Sequence, residues 1–423
     1  MSCDGSMDRR VFVKAGALAL VSLGLDPIFL TRAAYAVNRA GGPASRKTLV
    51  CIFQRGAVDG LNMIVPHGDP YYYRERPRIA IPRPGARNGA VDLDGHFGLH
   101  PALEPLAPWY RNGALAVVHA VGSPDSTRSH FDAQDYMETA TPGVKSTGDG
   151  WLNRALRHAQ DHADTPFRGV AIGAQLPRVL RGSAPALAVD NLETFGLRGA
   201  AASRDRLTAA FEALYQGSAT GIVATSSEEG FAAAKMLKAA NPAQYQPGNG
   251  AEYPRSPLGN AMRQIAQVIR ADLGTEIAFA DVGGWDTHVN QGASDGQLAG
   301  RLRDFGLALA AFALDLGERM ADVVVLTMSE FGRTVAENGN LGTDHGHATA
   351  MMVLGGGTKG GKIFGRWPTL DPASRFEGRD LAVTTDFRDL FGEVLTRHLG
   401  TADLGAVFPG YHADQRRWAG VLG

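Results

Sequence analysis

The sequence predicts an α/β fold with three layers, in which a mainly parallel central sheet carries helices on both faces. Short apolar runs, such as Thr48–Gln54 and residues 322–328, alternate with longer stretches of helical periodicity. These runs are apolar throughout, as in strands that are buried on both faces of a sheet. The 53 glycines and 44% hydrophobic residues suit a glycine-turned α/β protein.

Each element follows from this alternation. We predict strands at 48–54, 114–121, 168–173, 186–189, 276–282, 322–328 and 349–354. We predict helices at 99–111, 131–139, 204–215, 228–239, 258–271, 298–320 and 386–399. Ser129 precedes the second of these helices as an N-cap, and Thr384 or Thr385 precedes the last. Residues 68–100 are polar and rich in turn formers, which predicts a loop insertion over the sheet.

The first 36 residues have the three parts of an export leader. Arg9 and Arg10 form a charged start, residues 15–30 form an apolar run, and Ala36 closes a small-residue cleavage site. The arginine pair is typical of a twin-arginine signal peptide. We therefore expect the twin-arginine translocase as a partner during export, and a periplasmic or extracellular mature protein. The alternative is a retained membrane anchor, although Asp26 interrupts the run and the run is short for a span.

The remaining residues, 37–423, are expected to form a single α/β domain without a membrane span. The net charge of −1 provides no broad basic surface, so we expect no nucleic-acid partner. Cys51 is the one cysteine left after cleavage, and it lies in an apolar run. It is therefore expected to be a buried core residue rather than half of an internal disulfide.

Acidic and imidazole side chains recur after the predicted strands, where open α/β sheets place their sites. Asp286 and His288 are two residues apart, as are His345 and His347, so in an extended chain each pair points to one side. Carboxylates with imidazoles are ligands for a divalent ion such as zinc, manganese or calcium. The candidate metal ligands are Asp59, Asp286, His288, Glu330, Asp344, His345 and His347.

Each of these residues also has an ordinary structural interpretation. Asp59 fits the start of a turn, and Ser129 fits a helix N-cap. Glu330 and Arg333 are close enough in sequence for a local ion pair of small value. Residues 344–347 alone fit a polar turn. The metal-site hypothesis therefore depends on these groups meeting at one sheet edge.

The chain resembles a bacterial secreted family known as domain of unknown function 1501. The similarity lies in the segments RGAVDGLN, VPHGDPYYYRERPRIAI, RSHFDAQDYMETATPG, DVGGWDTH, VLTMSEFGRT, TDHGHATAMMVLGGG and TTDFRDLFGEVL. Members of that family look like relatives of the alkaline phosphatase and sulfatase superfamily. The resemblance implies an alkaline-phosphatase-like sheet with metal ligands at the strand ends.

The resemblance also implies roles for individual residues. Asp59 takes the place of the first metal-binding aspartate, and Ser129 takes the place of the nucleophile at a helix start. Asp286 and His288 resemble the superfamily's aspartate and histidine pair. Phe331 follows Glu330 where the superfamily has an imidazole, which puts a two-metal site in doubt. His345 or His347 resembles the last histidine.

Three functions remain open from the sequence. The first is a metal-dependent hydrolase or transferase of phosphate or sulfate esters, on a small-molecule or glycan substrate. In it, Ser129 or a water attacks, and Arg128 or Arg333 stabilises the anionic centre. The second is a non-catalytic envelope protein that binds or assembles on a degenerate scaffold. The third is a serine hydrolase, which the absence of a Gly-x-Ser-x-Gly elbow disfavours.

Overall fold

The strand β1, Thr48–Gln54, runs through the centre of the molecule and is buried along its whole length. The structure is a computed structural model that describes residues 47–159, 165–192, 236 and 244–423. On one side β1 pairs in parallel with β8, Ile277–Val282, and on the other with β9, Val323–Met328. The uninterrupted apolar sequence of β1 is explained by this position, because both of its faces are covered.

Within the described residues the central sheet has nine strands. The others are β5 (Leu115–Gly122), β6 (Gly169–Ile172), β7 (Ala186–Val189), β10 (Thr349–Gly355), β11 (Ile363–Phe364) and β12 (Thr385–Asp386). Their order is β11-β5-β10-β9-β1-β8-β6-β7, with β12 also paired to β5. The strand β10 is antiparallel to its neighbours β5 and β9, whereas the remaining pairs are parallel. The predicted mainly parallel sheet is thereby confirmed.

Helices cover both faces of this sheet. They are α1 (Gly60–Met63), α2 (Pro70–Glu75), α3 (Ala107–Arg111), α4 (His130–Thr139), α5 (Trp151–Arg157), α6 (Pro257–Arg270), α7 (Gln297–Leu316), α8 (Phe387–Leu399) and α9 (Leu404–Val407). Val50 and Ile52 pack in one apolar core with α6 and α7. Cys51 points to the opposite core with α5 and α8, because successive strand residues alternate between faces. The three-layer prediction is confirmed, as is burial of Cys51.

The segment 68–100 contains more regular structure than the predicted loop insertion. It holds α2 and two short strands, β3 (Val91–Asp92) and β4 (Gly98–Leu99). These strands form a second, three-stranded antiparallel sheet with β2, Ile64–Val65. A strand of two residues is too short to show the alternation that predicts a strand. The turn-forming residues of this segment therefore predicted a loop.

Two predicted helices differ in detail. The helix predicted at 99–111 is a 3₁₀ helix, Pro101–Leu106, followed by α3. Proline inside the segment removes backbone donors and disfavours a continuous α-helix. The helix α8 is capped by Asp386, which accepts a hydrogen bond from the Arg388 amide, and not by Thr384 or Thr385.

Some predictions fall outside the described part of the chain. The export leader at 1–36 and the helix at 204–215 lie there entirely, and of the helix at 228–239 the structure describes residue 236 alone. Among the described residues, no helix is both long enough and apolar enough to traverse a lipid bilayer.

Candidate metal centre

The strand directions bring distant parts of the chain to one edge of the sheet. The strands β5, β8 and β9 are parallel to one another and end at this edge, whereas the antiparallel β10 begins there. Residues that follow the first three strands therefore meet residues that precede β10. His130 follows β5, Asp286 and His288 follow β8, Glu330 follows β9, and His345 precedes β10.

Three of these side chains form a compact donor group. One ligand atom from each of His130, Asp286 and His345 lies within 4.8 Å of the other two. The Nε2 atoms of His130 and His345 are 3.0 Å apart. Asp286 places Oδ1 3.2 Å from Nε2 of His345 and Oδ2 3.5 Å from Nε2 of His130. We call this set the metal cluster.

His288 adjoins the metal cluster. Its Nε2 atom lies 2.9 Å from Oδ1 of Asp286 and 2.9 Å from Nε2 of His345. The side chains of Asp286 and His288 are 41% and 38% exposed, so the group opens to solvent. A small ligand therefore has access to it.

The opposite nitrogen of each imidazole is engaged by an acceptor. His345 Nδ1 donates to the backbone carbonyl of Arg128 at 2.8 Å. His130 Nδ1 donates to Oε1 of Glu330 at 2.8 Å, and His288 Nδ1 donates to Oδ1 of Asp344 at 2.9 Å. With Nδ1 protonated, a neutral imidazole presents the lone pair of Nε2. In this state His130 and His345 aim their lone pairs at one place beside a carboxylate, and His288 lies next to them.

This arrangement fits a metal ion. Lone pairs that face each other at 3 Å repel unless a cation lies between them. Four ligands at zinc–nitrogen distances stand about 3.3 Å apart in a tetrahedron, close to the spacings in the metal cluster. Donation of the outer ring N–H to carboxylate or carbonyl oxygens is also the usual support of metal-binding histidines.

Arg333 holds the carboxylate of the metal cluster in place. Its buried guanidinium donates to Oδ1 of Asp286 and to the backbone and hydroxyl oxygens of Thr343. Partial burial opposes ionisation of Asp286, but the hydrogen bond and charge of Arg333 outweigh it and lower the pKa. Asp286 is thus kept anionic, and Arg333 acts on it rather than facing a bound ligand.

Glu330 is fully buried and supports His130 from behind. Its Oε1 accepts from His130, from the Gly56 amide and from Nε2 of Gln134. Burial would raise the pKa of Glu330, yet these hydrogen bonds lower it overall. The same pair raises the pKa of His130, chiefly through the hydrogen bond to Glu330. Glu330 therefore contacts His130 and does not itself belong to the metal cluster.

Asp59 is engaged away from the metal cluster. It is fully buried, and Oδ1 accepts from the amides of Leu61 and Asn62 as the cap of α1. Its Oδ2 accepts from Arg76 at 2.7 Å and from Gln291 at 2.6 Å. These four donors occupy the carboxylate, so the structure does not bring Asp59 into the predicted ligand set.

Asp344 and His347 also stand apart from the three ligand atoms. Asp344 accepts from His288 Nδ1 and from Asn338, so it orients a histidine. The ring of His347 is buried and stacks on Phe376 with centroids 4.2 Å apart. Burial lowers its pKa. The chain bends at His347, so the extended conformation assumed for His345 and His347 is not maintained there.

The predicted catalytic residues lie close by with different partners. Ser129 is exposed, directly before His130 at the start of α4, and its side chain makes no capping hydrogen bond. The guanidinium of Arg128 binds Asp380 and Glu377 at 2.7 Å each. Neither Arg128 nor Arg333 therefore presents a guanidinium that lacks a carboxylate partner.

His130 is the member of the metal cluster that the sequence did not predict. It directly follows Ser129, which was predicted as a helix N-cap or a nucleophile, and was not itself predicted as a ligand. The superfamily resemblance implies an imidazole at the position of Phe331, after β9. In the structure an imidazole comes instead from His130, which follows β5. Phe331 instead stacks on His130 with centroids 4.9 Å apart. The position of His130, right after a strand and opening a helix, was the available indication.

Comparisons with known proteins give distant structural similarity. Lipoteichoic acid synthase LtaP from Listeria monocytogenes is 9% identical, with a TM-score of 0.29, over 78% of this chain and 73% of that one. The PsFucS1 sulfatase from Pseudoalteromonas sp. is 13% identical, with a TM-score of 0.32, over 94% of this chain and 76% of that one. No curated protein matches significantly.

The family comparison is more extensive. Residues 46–411 match the family described as "Protein of unknown function (DUF1501)". This match includes every member of the metal cluster and the whole central sheet. The chain therefore belongs to the DUF1501 family.

Proposed function

We propose that the protein is a metal-dependent hydrolase or transferase acting on phosphate or sulfate esters. His130, Asp286 and His345 would hold the ion, with His288 beside them. One observation carries the proposal: two imidazole Nε2 atoms and a carboxylate lie within 4.8 Å of one another, while the Nδ1 atom of each ring has an oxygen acceptor. A donor group rich in imidazole favours zinc over calcium, which prefers six to eight oxygen ligands.

A divalent ion at this position would polarise an ester oxygen and stabilise developing negative charge. The chain's own residues hold the donor side chains in the positions that this requires. Glu330 fixes the ring of His130, the Arg128 carbonyl fixes His345, and Arg333 fixes Asp286. Because the donors are held before a ligand arrives, little reorganisation is needed on binding.

Ser129 is the candidate nucleophile within this proposal. Its hydroxyl is exposed, is not used as a helix cap, and belongs to the residue before His130. It also precedes the first turn of α4, where backbone amides favour an anionic ester oxygen. A water held at the same opening is the alternative. Arg333 and Arg128 are positioning residues. Arg333 holds Asp286 through its guanidinium, and Arg128 holds His345 through its backbone carbonyl.

The proposed setting is the bacterial envelope. The arginine pair, apolar run and small-residue site of residues 1–36 support export through the twin-arginine translocase and a periplasmic or extracellular protein. The substrate would then be a small-molecule or glycan ester found there.

A non-catalytic binding role on the same scaffold is the second candidate. It is favoured by the two arginines near the metal cluster, since both already bind carboxylates and leave an anionic substrate fewer donors. In that case the ion would hold a ligand without turnover.

The test combines metal content with turnover. Protein purified without added metal is analysed for transition metals and assayed on aryl phosphates and aryl sulfates, alongside His345→Ala. The exposed His412→Ala is the matched control. We expect metal and turnover in the wild type and His412→Ala, and loss of both in His345→Ala. Metal without turnover would favour the binding role, and absence of metal would refute both.

A further inference from the structure

Two exposed apolar side chains stand one residue beyond two histidines of this site. Phe131 follows His130 and is 91% exposed, and Val289 follows His288 and is 50% exposed. They are the two most exposed large hydrophobic side chains of the described ranges. Scattered apolar residues on a surface are ordinary, but these two coincide with the opening of one site.

The local geometry places Phe131 at the rim. It lies in the first turn of α4, where successive residues are turned by about 100° around the helix axis. Ala133, on the inner side of the helix, packs against Phe331 below the metal cluster. Phe131 points to solvent instead, with its Cα about 3.8 Å from that of His130.

Val289 marks another edge of the opening. His130 and His288 both contact Nε2 of His345, at 3.0 and 2.9 Å. Phe131 and Val289 are therefore each adjacent in the chain to a histidine of the same exposed donor group. A compound whose anionic end met an ion held by the metal cluster would have both apolar side chains near its organic end.

We propose that Phe131 is a specificity-determining residue that stacks on the ring of the ester's organic group, with Val289 as the facing apolar contact. The group is an aromatic or sugar ring, since both offer a flat apolar face to an exposed aromatic side chain. The inference rests on the proposed function, because it assigns the anionic end of the same ligand to the metal cluster.

Calorimetric binding to the full-length, zinc-loaded protein tests it. Phenylphosphonate is compared with methylphosphonate, since both carry phosphorus–carbon bonds that resist hydrolysis. We expect the phenyl compound to bind roughly tenfold more tightly, as a single aromatic stack provides. Phe131→Ala removes this preference and leaves methylphosphonate binding unchanged. Phe131→Trp retains it, as does the control Val144→Ala at another exposed apolar residue.

The two sources of a ring are separated by a second ligand, the non-hydrolysable phosphonate analogue of glucose 6-phosphate. If Phe131→Ala weakens the binding of only one of the two ring ligands, the ring of that ligand, aromatic or sugar, is the class that Phe131 recognises. Equal preferences in wild type and Phe131→Ala for both ring ligands overturn the inference while the proposed function stands. If the wild type binds none of the three phosphonates, the proposed function fails and this inference fails with it.

Discussion

The Nε2 atoms of His130 and His345 lie 3.0 Å apart, although Glu330 and the Arg128 carbonyl already take the Nδ1 proton of each ring. When both rings are neutral, their Nε2 lone pairs are opposed at this distance. A cation between the two nitrogens would relieve that repulsion, and its binding should stabilise the fold.

Zinc should raise the thermal stability of the protein. A ligand at one hundred times its dissociation constant stabilises the native state by about 2.7 kcal/mol, which corresponds to a few degrees in Tm for a chain of this size. Differential scanning calorimetry with EDTA and with zinc measures the shift. His345→Ala should lose the shift, and His412→Ala should keep it. Equal Tm values for the wild type in both conditions would contradict a native-state site.

Glu330→Gln should weaken metal binding and leave the fold intact. Glutamine can still accept from the Gly56 amide, but it lacks the charge that holds the His130 ring and increases its basicity. We expect metal affinity to fall about 10- to 100-fold, as for other supports of metal-binding histidines. Chelator competition measures the affinity. The exposed Glu377→Gln is the control, and an unchanged affinity in Glu330→Gln would show that the support is unimportant.

The buried pair of Asp59 and Arg76 should affect stability and not metal content. Arg76→Met leaves the carboxylate of Asp59 buried without its charged partner, which costs about 3–5 kcal/mol. Asp59→Asn should also lose stability yet bind zinc with wild-type affinity. Urea unfolding and zinc titration of the folded variants measure the two quantities. Asp414→Asn, in an exposed pair, should leave the stability nearly unchanged, because solvent screens the pair.

A loss of zinc affinity in folded Asp59→Asn would restore Asp59 to the ligand set that its position after β1 suggested. The structure predicts the opposite, because four donors already surround this carboxylate.

The protein should lose stability as the pH falls from about 6.5 to 4. Burial lowers the pKa of each of His100, His119 and His398 to about 4 in the folded state. The unfolded chain binds protons at these residues below about pH 6.5, whereas the folded chain does not until about pH 4. Each histidine therefore removes about 1.4 kcal/mol per pH unit across this window.

Urea unfolding at pH 7 and pH 5 measures how much one of these histidines contributes to the loss of stability. His398 donates from Nε2 to the Thr48 carbonyl, and His398→Gln keeps a donor without the titration. The loss of stability between the two pH values should be smaller in His398→Gln than in the wild type. His412→Gln, on the surface, should match the wild type. Identical losses in all three proteins would show that His398 does not titrate in this way.

The sequence predicted most of the fold because its strands are long apolar runs. The predicted strand 186–189 coincides with β7, and the one at 48–54 coincides with β1. The short strands β2, β3 and β4 were not predicted, since a two-residue strand has no periodicity to detect.

The candidate site was predicted in part. The sequence placed Asp286, His288, Glu330 and His345 at one sheet edge, where the structure has them. It could not separate residues that supply ligand atoms from those that support them, because Glu330 and Asp344 differ from Asp286 only in their contacts. The sequence did not show that Asp59 pairs with Arg76, which ends α2, and this pair occupies its carboxylate. The sequence also did not show that the chain bends before β10 and that His347 stacks on Phe376.

An anomalous-difference map from crystals of the zinc-loaded protein tests the central claim most directly. The account predicts a peak about 2.1 Å from Nε2 of His130, Nε2 of His345 and an oxygen of Asp286. A map without a peak among these three atoms, or with its peak beside Asp59 or His347 instead, would contradict it.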